Sequence, residues 1–91
     1  MISVKFTRTT TDLLLSAVYA KGQRLFQNGK DVDHMLLEAG TLCDIHWRIV
    51  GDIGGELVVV KTVGATDTGI VDSKITPQDI DRVSDFTVFT V

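Results

Sequence analysis

The sequence is poor in the residues that carry covalent or metal chemistry. It has one cysteine, Cys43, so an internal disulfide is excluded, and its place in an apolar alternating run reads as a small buried hydrophobe rather than a reactive thiol. A reducing compartment such as the cytoplasm is therefore expected. The one proline, Pro77, leaves no proline-rich linker. No apolar run approaches the ~20 residues of a membrane-spanning helix. The opening MISVKFTRTTTDLLLSAVYA carries Lys5 and Arg8, and its apolar run follows Asp12; this is not a signal-peptide pattern, and a soluble, unprocessed chain is expected. Six aromatic residues spread along the chain form no stacking stripe for single-stranded nucleic acid. A net charge of −3 argues further against nucleic acid, whose binding leans on neutralising phosphates.

What is present points to one domain over residues 1–91. That length can bury a core without metal or disulfide support, and 44% of the residues are hydrophobic. Charge is uneven: Lys5, Arg8, Lys21, Arg24 and Lys30 face only Asp12 in the first third, whereas residues 31–91 hold four bases and eleven acids. Strands from both regions that interleave would cancel the asymmetry; otherwise the molecule is polar enough to attract a basic partner.

The apolar residues alternate with a period of two, which is the signature of half-buried strands. Ile2, Val4 and Phe6 open the first, which is expected to end in a loop or bend at Thr9–Thr11. Residues 12–20 fit a strand better than the helix that Asp12 could cap, because Lys21-Gly22 then turns tightly into a short strand from Gln23. Asn28-Gly29 predicts a two-residue hairpin pairing Leu25 with Val32 and Arg24 with Asp33. The strand Val32–Leu37 follows. Thr41–Val63 reads as a long hairpin turning at Gly51-Asp52-Ile53-Gly54, with Asp44 opposite Lys61, His46 opposite Val59, and Cys43, Ile45, Trp47, Val58 and Val60 on its core face. Trp47 is expected in the core. Residues 64–69 read as a loop, Ile70–Ser73 as a short strand, Thr76-Pro77-Gln78-Asp79 as a helix start, and DFTVFTV as a final strand.

The sharpest motif is Asp67-Thr68-Gly69. It resembles the Asp-Thr-Gly triplet of retroviral-type aspartic proteases, small all-β homodimers in which two carboxylates share a proton and activate water. The resemblance covers the triplet alone. Ala65-Thr66 stands where that family has apolar residues, and only 22 residues follow Gly69. Asp31, Asp33 and His34 cluster without matching a calcium loop or a zinc pattern. His46 has no partner at ligand spacing. No phosphate loop, nucleophile elbow or Cys/His pair is present, so no catalytic residue, cofactor or metal ligand is assigned.

The fold expected is all-β: a small antiparallel sandwich of seven to eight strands with one short helix before the last. An α+β domain with helices at 12–21, 33–39 and 77–84 is the alternative. The function expected is non-enzymatic, through self-assembly into a homo-oligomer or binding of a protein partner, with no nucleic acid and no membrane. The alternatives are a lectin-like module for carbohydrate or another small ligand and, more remotely, a dimeric aspartic hydrolase. Candidate binding residues are His46, Arg48, Asp52 and Asp67. Candidate interface residues are Leu57, Val59, Phe89 and Val91, because a strand apolar on both faces and a terminal strand both ask for a neighbour.

Overall fold

The alternating apolar pattern is carried mainly by two very long strands. In the computed structural model, which describes residues 1–91, β1 spans Ile2–Ala20 and β4 spans Leu42–Val63. They run antiparallel and pair from Lys5–Thr62 at one end to Ala20–Ile45 at the other. Shorter strands line their outer edges: β2 (Gln23–Leu25) and β3 (Val32–Leu37) flank β1, while β5 (Thr66–Lys74) and β6 (Arg82–Thr90) flank β4. The all-β class is as expected. In place of the expected sandwich of seven or eight strands, six strands form, all in one antiparallel sheet. No α-helix forms, so the α+β alternative is set aside.

The sheet bends across its middle. Thr11 pairs with Glu56 and Leu13 with Gly51, so Asp52–Gly55 of β4 bulge opposite the single residue Asp12. Asp12 takes a positive φ of 53°, and Gly54 one of 94°. A second extra residue, Leu14, separates Leu13–Gly51 from Leu15–Val50. Such bulges turn a strand sharply without ending it. The glycines are required by space: a Cβ on Gly51 would stand 2.6 Å from the Asp12 carbonyl oxygen, and one on Gly55 2.8 Å. The link between β5 and β6 straps the bend. Gly54 N–H donates to the Ile75 carbonyl at 2.8 Å, Ile75 N–H to Gly55 at 2.9 Å, and Gly51 N–H to Asp81 at 2.9 Å.

Bending lets the two halves share one core. Val4, Phe6, Val18, Ala20, Cys43, Ile45, Ile49, Leu57 and Val59 are all at most 1% exposed, each large side chain contributing about 1.5–3 kcal/mol by leaving water. The Phe6 ring, from one half, meets the Phe89 ring, from the other, edge-on with centroids 6.1 Å apart. At the edge, Arg8 holds the passage from β2 to β3. Its guanidinium donates to Ser16 Oγ, the Lys30 carbonyl and Asp31 Oδ1, and lies 5.0 Å over the Phe26 ring.

Several local expectations are corrected. Gly51–Gly54 is a bend within one strand, not a hairpin turn, so Asp44 faces Val88 rather than Lys61, and His46 faces Tyr19 and Phe86 rather than Val59. The core phase is unbroken across the glycines, so Leu57 and Val59 are buried where Val58 and Val60 were expected. Asn28 and Gly29 have the positive φ that their turn chemistry asks for, yet β2 and β3 pair with β1 and not with each other. The buried Phe26, itself at φ 57°, and Arg8 carry the chain across instead. The helix start at Thr76 is a turn: Asp79 accepts from the Thr76 amide and hydroxyl, and these two bonds hold its carboxyl below the ordinary carboxylate range. Asp67-Thr68-Gly69 lies in β5, because Gly64 has already turned the chain.

The tight turn at Lys21-Gly22, the strand Val32–Leu37 and the final strand all form. Residues 12–20 are extended, but as the second part of β1, which runs on through Thr9–Thr11, where the first strand was expected to end, because those residues pair with Glu56–Val58.

Because Asp12 and the facing strand leave no room, Gly51→Ala and Gly55→Ala should each cost about 1–3 kcal/mol. Gly69→Ala, with nothing within 4 Å of the added carbon, should change stability by less than about 0.5 kcal/mol. Urea unfolding followed by Trp47 fluorescence checks both, and equal effects at all three positions would discard the steric account of the bend.

Candidate functional site: an aromatic row on the outer face

Register decides what the outer face displays. Tyr19 of β1 stands opposite His46 of β4, and His46 opposite Phe86 of β6, so three aromatic rings line up across three neighbouring strands. Arg24 of β2, opposite Tyr19, extends the row by one strand. Phe86 is 62% exposed and Tyr19 37%, unusual for rings that a core could have taken. The His46 and Phe86 rings stack, centroids 5.5 Å apart and planes 21° from parallel. His46 Nε2 lies 3.0 Å from Asp44 Oδ2, two residues along the same face.

Around this row lies an open depression of about 360 Å³, lined by Tyr19, His46, Arg48, Ser84, Asp85 and Phe86, with Trp47 beneath. Exposed Val88 and Leu42 continue the apolar surface along β6 and β4. Trp47 is only partly buried against the core, and its indole N–H is enclosed with no acceptor in the protein. An unmet donor of that kind costs about 1–3 kcal/mol.

Two expected binding residues, His46 and Arg48, thus fall in one depression. Asp52 sits exposed in the bend. Asp67 lies opposite Thr62, six residues beyond Glu56, or about 20 Å along the strand, where it accepts the Thr62 hydroxyl at 2.6 Å. The four do not form one site. Leu57 and Val59 are 0% exposed within the chain's own core, which removes them as interface residues: the strand is apolar on both faces because the bent sheet covers one of them. Phe89 packs inward against Phe6, and Lys61 lies 5.4 Å over its ring. Val91 is tied to Gly40 and Thr41 by backbone bonds. The terminal strand's outward residues are Phe86 and Val88 instead.

Tyr19, Ser84, Asp85 and Phe86 were not singled out from sequence. Their signal was present in the alternation of β1 and β6, but only the strand order places Tyr19 and Phe86 beside His46. The Asp31, Asp33 and His34 cluster is accounted for within the edge: Asp31 pairs with Arg8, and Asp33 accepts from the Phe26 and His34 amides.

Cys43 faces the core at 0% exposure. Burial, reinforced by the neighbouring Asp44 charge, pushes its thiol pKa up, so the reactive thiolate is suppressed at neutral pH. Cys43 should therefore resist a thiol-labelling reagent in the folded protein and react only as urea unfolds the chain; fast native-state labelling would contradict its burial. No family model, no curated protein and no solved structure matches this chain.

Proposed function

We propose that this chain is a non-enzymatic binding domain that holds another polypeptide against the outer face of β4 and β6. The observation that carries the reading is the exposed row Tyr19–His46–Phe86, continued by Val88 and Leu42 and bordered by Arg24, Arg48 and Asp44. Aromatic side chains with arginine nearby supply most of the energy in protein interfaces, since their rings bury large areas at little entropic cost. His46 is held by Asp44, and Asp67 by Thr62.

A carbohydrate is the second reading. The depression combines stacked rings with Arg48, Ser84 and Asp85, groups able to hydrogen-bond sugar hydroxyls. It is shallow, and its rings form one straight row, which suits an extended surface more than an enclosed small molecule.

Phe86→Ser, at a 62% exposed position, should leave stability within about 0.5 kcal/mol and weaken association by at least about tenfold. Sedimentation equilibrium from nanomolar to hundreds of micromolar measures self-association, and captured partners are compared between wild type and variant. Unchanged association in the variant would refute the role of the row. A glycan that titrates the Tyr19 and His46 resonances of a strict monomer would favour the second reading.

A further inference from the structure

Among the four short strands, β6 has the least protected outer edge. Val91 N–H donates to Thr41, and Gly51 N–H to Asp81, pairs that fit the continuous register of β4 with β6. Antiparallel strands alternate between bonded and non-bonded pairs. Odd-numbered residues of β6 therefore direct their backbone groups to β4, and Arg82, Ser84, Phe86, Val88 and Thr90 direct theirs outward. Among these groups only the Phe86 amide has a partner, the Asp85 carboxylate at 2.8 Å.

The other edges are guarded in the usual ways. β2 is three residues long. β5 is broken by a bulge between its pairs with Val59 and Val60 and carries Asp67, Asp72 and Lys74. β3 has its central outward amide, that of His34, covered by Asp33. β6 is nine residues long, is paired without a register shift, and has no proline or lysine.

We infer that β6 pairs antiparallel with β6 of a second copy about a two-fold axis at Phe86, joining the two sheets into one. This inference goes beyond the reading of the face as a polypeptide-binding surface: the second copy takes the edge that borders that face and leaves the face itself open.

Side-chain complementarity selects the register. Phe86 is the midpoint of Arg82–Thr90, so centring there pairs every outward residue: Phe86 with Phe86, Ser84 with Val88, and Arg82 with Thr90. On the inner face, Val83 meets Phe89, and Asp85 meets the Thr87 hydroxyl. The Phe86 amide passes from Asp85 to the facing carbonyl, and Asp85 gains the threonine in exchange. Moving the axis to Asp85 sets two carboxylates opposite each other at the closest strand spacing, which is unfavourable. Moving it to Thr87 puts Asp85 against Phe89 and leaves Arg82 unpaired. Arg48 of one copy also comes level with Asp44 of the other, with the two β6 strands between them, about 14 Å apart. The two aromatic rows then meet at Phe86 and run across the whole joined sheet.

The test separates edge from face. Ser84→Pro removes an outward amide that β4 does not use and should weaken the dimer at least tenfold by sedimentation equilibrium, with the circular dichroism spectrum retained. The double variant Ser84→Cys/Val88→Cys should form a disulfide-linked dimer under mild oxidation. Its two thiols lie about 13 Å apart along one strand and cannot close within a chain. Ser84→Cys alone should not cross-link, since residue 84 of one copy lies about 13 Å from residue 84 of the other. If Ser84→Pro fails to fold, the cross-linking result decides.

A dimeric wild type whose double-cysteine variant stays unlinked overturns the edge pairing and leaves the aromatic face as the binding surface. A wild type that is monomeric at hundreds of micromolar overturns the second copy as occupant. In that case Phe86→Ser still tests the face through captured partners.

Discussion

The pairing of β1 with β4 along nearly their whole length is the constraint on which the rest of the structure depends. Two strands of 19 and 22 residues laid flat would expose both faces of a long ribbon, and a two-stranded ribbon of that kind is marginal in water. The ribbon becomes a domain only by bending, so that Val4, Phe6, Leu57 and Val59 from one half and Val18, Ala20, Ile45 and Ile49 from the other enclose one core. The bend needs backbone to pass close to backbone, and only glycine at positions 51 and 55 permits it beside Asp12. Ile75 then supplies a partner to the Gly54 amide, which the bulge takes out of the ladder, and Asp81 continues the β6 register to the Gly51 amide, as a buried backbone requires.

From that bend follows what the surface displays. The short strands can add only at the outer edges of β1 and β4, one to each half, so the edges of the four short strands and the middle of β1, between its pairs with β3 and β2, remain at the surface. In the β6 half, Tyr19, His46 and Phe86 share the outward face. Phe86 is exposed, while Phe89, three residues on and therefore on the opposite face, closes over Phe6. The same alternation that buries the core thus places Tyr19, His46 and Phe86 in one row, without any loop to position them.

Much of this was legible in the chain. The alternation gave the strand class and the bounds of β3, and the turn at Lys21-Gly22 was readable from residue type. The central error was to read Gly51–Gly54 as a turn. Two candidate partners existed for the first half of β4, namely its own second half and β1, and pairing energies on one strand do not rank them. A discriminating feature was nonetheless present: Cys43, Ile45, Ile49, Leu57 and Val59 share one parity across the glycines, as a single bent strand requires, whereas a four-residue hairpin loop opposes odd positions with even. The role of Arg8 was not legible, since its partners at Ser16 and residues 30–31 meet only after β2 and β3 have both chosen β1. That choice also sets Arg8, from the basic first third, against Asp31.

Edge protection explains why two aspartates stand where strand propensity disfavours them. Asp33 and Asp85 each precede an aromatic ring, His34 and Phe86, at the middle of an edge strand, and each carboxylate accepts the outward amide of that next residue at 2.8 Å. A carboxylate so placed satisfies the donor and presents negative charge to any strand that approaches. It is a reversible guard, unlike a proline or a bulge, because rotation of one side chain frees the amide. On β3 the guard is reinforced: Asp33 also holds the Phe26 amide, so releasing the edge would loosen the link that Arg8 secures. On β6 nothing else depends on Asp85, which makes that edge the one that can open without disturbing the fold.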